Sequence, residues 1–151
     1  MQASSVKVAW KVMLAMGIYV VVLGLLLIFL TKTMFVPDFT AFTAQSWSDF
    51  VTSNPKPAEL FIITERILGA MVLMTGLFTV LVAWKSYSKA EKWSWYTLLV
   101  TGIIGWGSWL TYLMAIGCLM FIVLAVVGIV LFVIGIALPA KAILGKKAAG
   151  K

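Results

Sequence analysis

The sequence predicts an all-α membrane protein: four transmembrane helices in an antiparallel bundle, with a short interfacial helix between the first and second. Three observations lead there. Apolar residues make up 63% of the 151 positions and charged ones only 11%, against roughly half and about a quarter in soluble domains. Charge-free runs of 20, 18 and 48 residues punctuate the chain, and about 20 apolar residues suffice to cross a bilayer. Nine of the twelve Lys and Arg residues then fall on one side of the membrane those runs define, the bias expected of cytoplasmic segments.

The first helix is placed at about residues 8–31. Val12 to Thr31 carries no charge, and twenty helical residues rise about 30 Å. Thr31-Lys32-Thr33-Met34-Phe35 follows, where a secretory signal would show small residues at a cleavage site, so the helix is expected to be retained. Residues 32–58 form the outer segment. Pro55-Lys56-Pro57 is expected to be a rigid, non-helical entry to the next span. Between the prolines, Thr43 to Thr52 predicts a short helix with Trp47, Phe50 and Val51 on one apolar stripe.

The second helix is expected at about 59–86, its uncharged part being Ile67 to Trp84. The 48 uncharged residues from Trp93 to Ala140 would measure roughly 72 Å as one helix, so they must fold back. Clustered Gly and Ser in Gly105-Trp106-Gly107-Ser108-Trp109 mark the expected reversal, there or just after it. This gives helix three at about 92–110 and helix four at about 112–138. Pro139 ends helix four, and a basic cytoplasmic tail spans 139–151. Lys7, Lys11, Lys85, Lys89, Lys92, Lys141, Lys146, Lys147 and Lys151 lie on the cytoplasmic side in this scheme, so both termini face the cytoplasm of a multi-pass cell-membrane protein. All seven tryptophans are expected at headgroup level, Trp10, Trp84, Trp93 and Trp95 on the inner side and Trp47, Trp106 and Trp109 on the outer.

Glycines seven residues apart recur as Gly17 with Gly24, Gly69 with Gly76, and Gly128 with Gly135. Two helical turns put each pair on one face, and small residues let helix backbones approach closely in lipid, so these faces are expected to point inward or to dock another helix. Phe39, Phe42, Trp47 and Phe50 form a candidate outer interaction surface, or equally an amphipathic connector resting on the membrane. Lys85, Lys89, Lys92, Lys146 and Lys147 are candidate contacts for anionic lipid headgroups, besides setting topology.

Chemistry is sparse. The chain has one cysteine, no histidine and five carboxylates, too few donors for a zinc, haem or His-based copper site, and no cofactor is expected. Met13 with Met16 and Met71 with Met74 have a spacing that could place thioethers around Cu(I), but without His or a second Cys such a site would be weak, and methionine ordinarily fills packed apolar space. Cys118 is expected to be a small buried residue early in helix four. No phosphate loop, nucleophile with a base, or paired carboxylates stand out, so neither an enzyme nor a nucleic-acid-binding module is expected. Glu65, with Arg66 beside it, is the one intramembrane ionisable candidate, either as an ion pair or a proton site. Adjacent helical residues project about 100° apart, so the two need not pair.

Leu68-Gly69-Ala70, Thr75-Gly76-Leu77 and the run Tyr87-Ser88-Lys89-Ala90-Glu91-Lys92-Trp93-Ser94-Trp95-Tyr96 resemble small uncharacterised four-helix membrane proteins of bacteria and archaea, broadly similar to the DoxX-like group. The resemblance covers about thirty residues. It implies a four-helix architecture and no particular activity. The leading functional expectation is a noncatalytic accessory, structural or assembly subunit of a larger membrane complex, for example of respiratory or archaeal ammonia-monooxygenase type. Its partners would be other integral membrane subunits or a second copy of itself. The alternative is a proton-coupled small-molecule transporter acting as a homodimer through Glu65.

Overall fold

The computed structural model describes residues 2–145. Lys146, Lys147 and Lys151 lie outside the described residues. The elements run α1 (Gln2–Phe29), α2 (Thr31–Thr43), α3 (Trp47–Ser53), α4 (Pro55–Lys85), a 3-10 turn (Tyr87–Lys89), α5 (Lys92–Ile116), α6 (Leu119–Ala137) and α7 (Ala140–Leu144), with no strand among the described residues. Four helical stretches are long and apolar enough to cross a membrane: Ser4–Phe29, Pro55–Lys89, Lys92–Ile116 and Phe121–Leu144.

Helices α1 and α4 form the most extensive pair, and their glycines explain why. A Cβ on Gly24 would stand 2.5 Å from the Leu73 backbone nitrogen, and one on Gly76 2.6 Å from that of Val21. Gly17 meets Val80 and Gly69 meets Leu27, so numbers rise on one helix as they fall on the other. Gly135 of α6 receives Met13 of α1, and Gly128 receives the Trp106 ring of α5. All six glycines therefore lie where a neighbouring helix comes close, though Gly128 and Gly135 serve two different neighbours. Gly102, not singled out by its spacing, takes Phe132 in the same way. The main core gathers Met13, Met16, Ala83, Tyr87, Trp95 and Ile143 at one end of the molecule. Leu113, Phe121 and Ala125 form a smaller cluster toward the other.

Three expectations about element boundaries are corrected. First, the third helix does not end at about residue 110, at or just after Gly105–Trp109, but continues to Ile116, and the chain turns at Gly117. There φ is +73° and the Gly117 N–H donates to the Leu113 carbonyl, the left-handed cap that glycine takes without strain. Trp106 consequently sits roughly 21 Å along α5, buried against Gly128 rather than at its end. Cys118 precedes α6 as its N-cap instead of lying within it. Second, the prolines at 55 and 57 do not keep the chain out of helix: Pro55 opens α4. The first N–H groups of a helix have no internal acceptor, so a residue without one is tolerated there.

Third, the segment between the first two spans holds two helices, not one over Thr43 to Thr52. The chain bends at Leu30, where the Thr31 hydroxyl donates to the Leu27 and Ile28 carbonyls at 2.7 and 3.0 Å. It then runs helical through Pro37, whose ring deprives the exposed Thr33 of its carbonyl donor where solvent can replace it. Ala44 ends α2 in the left-handed conformation, and Ser46 caps α3 by accepting from the Asp49 N–H.

The other end is fastened by the aromatic turn. Pro139 has no N–H to offer the carbonyl four residues back, that of Gly135. The fully buried Tyr87 hydroxyl donates to it at 2.6 Å, and the Trp95 indole donates to the next carbonyl, Ile136, at 3.0 Å. Pro139 thus does end α6, and the run from Tyr87 to Tyr96 supplies the hydrogen bonds lost at that break. Trp93 and Ser94 close the same turn on Glu91.

Candidate functional site

At the end carrying α2 and α3, three helices bring together residues far apart in sequence. Asp38 of α2 is buried, 7% exposed, and accepts a hydrogen bond from the Tyr112 hydroxyl of α5 at 2.7 Å. Its other oxygen, Oδ1, is buried with no partner. Glu65 of α4 is half-buried and lies close enough to feel the charge of Asp38. Among the described residues Lys56–Glu59 is the one ion pair, so no cation answers Asp38 or Glu65. A carboxylate oxygen buried without donor or cation is expensive. No cluster of three or more metal-ligating side chains of the His, Cys, Asp and Glu types occurs among the described residues.

Sequence reasoning found Glu65 in this cluster and missed the other two members. Tyr112 stands in the sequence only as the expected start of the fourth helix, and it lies 74 residues from Asp38. Arg66 does not pair with Glu65. It lines a groove with Lys32 and Trp47, whereas Glu65 lies close to Asp38.

The expected outer surface is largely internal. Phe39 is buried, and Trp47 and Phe50 are half-buried against it at ring-centroid distances of 5.0 and 4.9 Å. Phe35 and Phe61, the latter from α4, complete a five-ring cluster that ties α2 and α3 to the bundle. Only Phe42 of the four stands open, at 65% exposure. Lys85, Lys89 and Lys92 are exposed at the opposite end, with Lys7, Lys11 and Lys141. Met13 and Met16 are buried in the core while Met71 and Met74 lie on an exposed face, so the two pairs do not join.

A second feature adjoins the carboxylates. The exposed side of α5 divides into two sectors. One is made mainly of large apolar residues, among them Val100, Ile103, Leu110 and Met114, with the exposed Gly107 and Thr111 between them. The other runs Thr97, Thr101, Gly105, Ser108 and Tyr112, spaced by four, four, three and four residues and so aligned along one stripe. Nothing lies within 4 Å of where a Gly105 Cβ would be. The Thr101 hydroxyl is turned back onto the Thr97 carbonyl at 2.7 Å, so that side chain satisfies its donor within its own helix. The stripe ends at Tyr112, beside Asp38.

No protein-family model, curated protein or solved structure matches the chain.

Proposed function

We propose that the chain is a noncatalytic integral membrane subunit that crosses the bilayer four times, with both ends in the cytoplasm, and assembles with another membrane-spanning helix along α5. The carrying observation is the stripe from Thr97 to Tyr112. In lipid, large apolar side chains gain nothing from leaving their neighbours, whereas small residues let a second backbone approach and make dispersion contacts. α5 carries an unbroken stripe of small residues ending at Tyr112 on one sector and most of its large apolar residues on the other, a division that suits protein on the first and lipid on the second. Exposed Lys7, Lys11, Lys85, Lys89, Lys92 and Lys141 at one end support the inward orientation of that end. The partner is another integral membrane subunit or a second copy.

Mild extraction from the native membrane, native-gel separation and mass spectrometry test this. Co-migration with other membrane subunits, or as a dimer, is expected, and Gly105→Leu is expected to abolish it. Migration as a monomer before and after that substitution would remove the proposal.

The orphaned Asp38 oxygen favours a second reading, proton-coupled transport by a homodimer through the Asp38–Glu65 pair. Proteoliposomes with an imposed pH gradient separate the two. Gradient-driven flux of a lipophilic cation such as tetraphenylphosphonium, abolished by Glu65→Gln, supports transport; absence of flux with wild-type protein leaves the subunit reading.

A further inference from the structure

We propose that the groove between α2, α3 and the first turns of α4 binds the headgroup of an anionic phospholipid. The proposal rests on membrane insertion of the four long helices and not on any partner subunit. The groove measures about 330 Å³ and is lined by Lys32, Trp47, Glu59, Ile62, Ile63 and Arg66, among others. Glu59, Ile62, Ile63 and Arg66 are spaced i, i+3, i+4 and i+7, so one stripe of α4 forms its floor.

Two charges carry the assignment. Lys32 and Arg66 are exposed, and among the described residues neither makes a hydrogen bond or an ion pair. They come from different helices and open onto the same space. The one anion in the lining, Glu59, already accepts from Lys56 at 3.2 Å, so the groove's unanswered charge is positive. A phosphate between the lysine and the guanidinium satisfies both, and the guanidinium offers a planar fork for it.

The apolar walls identify the rest of the ligand. A volume near 330 Å³ is at the small end of ligand pockets, roughly 300–1,000 Å³, and holds a headgroup without its tails. From the groove, Ile63, Ile67 and Met74 continue along α4 as an exposed apolar path, 47, 53 and 65% exposed, toward the middle of the span. A polar head with an acyl chain fits this arrangement, and a free anion leaves the path empty. The site is distinct from the exposed lysines at the opposite end, Lys7, Lys11, Lys85, Lys89, Lys92 and Lys141.

Native mass spectrometry of the full-length protein in detergent, titrated with phosphatidylglycerol, phosphatidylcholine or glycerol phosphate, tests the site. One phosphatidylglycerol is expected to be retained in preference to phosphatidylcholine. The Lys32→Gln/Arg66→Gln double variant is expected to hold it about tenfold to thirtyfold less tightly, while Lys85→Gln/Lys89→Gln changes it little. Both variants alter exposed side chains only, and circular dichroism checks that the helices persist. Equal retention by the Lys32/Arg66 variant, loss only in the Lys85/Lys89 variant, or binding of glycerol phosphate as tight as that of the lipid would each overturn the proposal. Alkaline carbonate extraction tests the premise separately: release of the protein from membranes would overturn insertion and the lipid site with it, while a subunit that stays inserted but shows no lipid preference sinks the lipid site alone.

Discussion

Tyr87 and Pro139 illustrate how a residue-level defect on one helix is answered from another. The ring of Pro139 leaves the Gly135 carbonyl without its helical donor, and the Tyr87 hydroxyl takes that place in a fully buried setting. Removing the hydroxyl leaves a buried acceptor unmade, so Tyr87→Phe is expected to destabilise the protein by about 1–3 kcal/mol. In a Pro139→Ala background the backbone N–H returns, and the same substitution is expected to cost less. Unfolding by sodium dodecyl sulfate measures the cycle, and an undiminished loss in the Ala background would show that the two residues are not linked in this way. The Asp38–Tyr112 bond behaves similarly. Tyr112→Phe leaves both carboxylate oxygens unpartnered and is expected to destabilise by about 1–3 kcal/mol, and Asp38→Asn is expected to relieve part of that loss, because a neutral amide is cheaper to bury than a carboxylate. Unfolding midpoints of the two single variants and the double variant decide it. Of this cluster, Glu65 was legible in the sequence because a charge interrupts an otherwise apolar span. Asp38 and Tyr112 were not, since no periodicity links residues on helices that meet only in three dimensions.

Among the elements, α5 separates two uses of glycine that look alike in sequence. Gly24 faces the Leu73 backbone at a distance where no Cβ fits, while Gly105 faces open space. Gly24→Ala is therefore expected to lower stability by about 1–3 kcal/mol through overpacking, and Gly105→Ala to leave it unchanged or raise it by about 0.5–1 kcal/mol through helix propensity. Thermal unfolding in detergent compares them, and equal effects would contradict the assignment of the two faces. The seven-residue spacing made the first kind visible from sequence. The cluster at Gly105 and Gly107 suggested a turn because glycine loosens helices in water. Inside an apolar stretch the backbone has no competing solvent, so the helix is kept, and the reversal waits for Gly117, where a positive φ is required. The helix through Pro37 was illegible for a related reason: the bend at Leu30 is stabilised by a single threonine hydroxyl, and the five aromatic rings that hold α2 in place include Phe61, which sequence places in the next span.

At the scale of the whole molecule, charge and length made the four long helices legible, because both are properties of contiguous sequence. Which side of each helix meets a neighbour was legible only where glycine marks it. The molecule is lopsided: α1 and α4 are intimately packed, while much of α5 remains open, with an unbroken small-residue stripe on one sector and most of its bulky apolar residues on another. A subunit that completes its packing on a partner explains this division, and the position of Tyr112 at the end of the stripe sets the buried carboxylates beside the proposed seam. The most direct test is photocrosslinking in the native membrane, with a photoreactive amino acid at Ser108 on the small-residue sector or at Ile103 on the apolar one. The account predicts a discrete protein adduct from position 108 and lipid adducts from position 103; lipid adducts alone from both positions would contradict it.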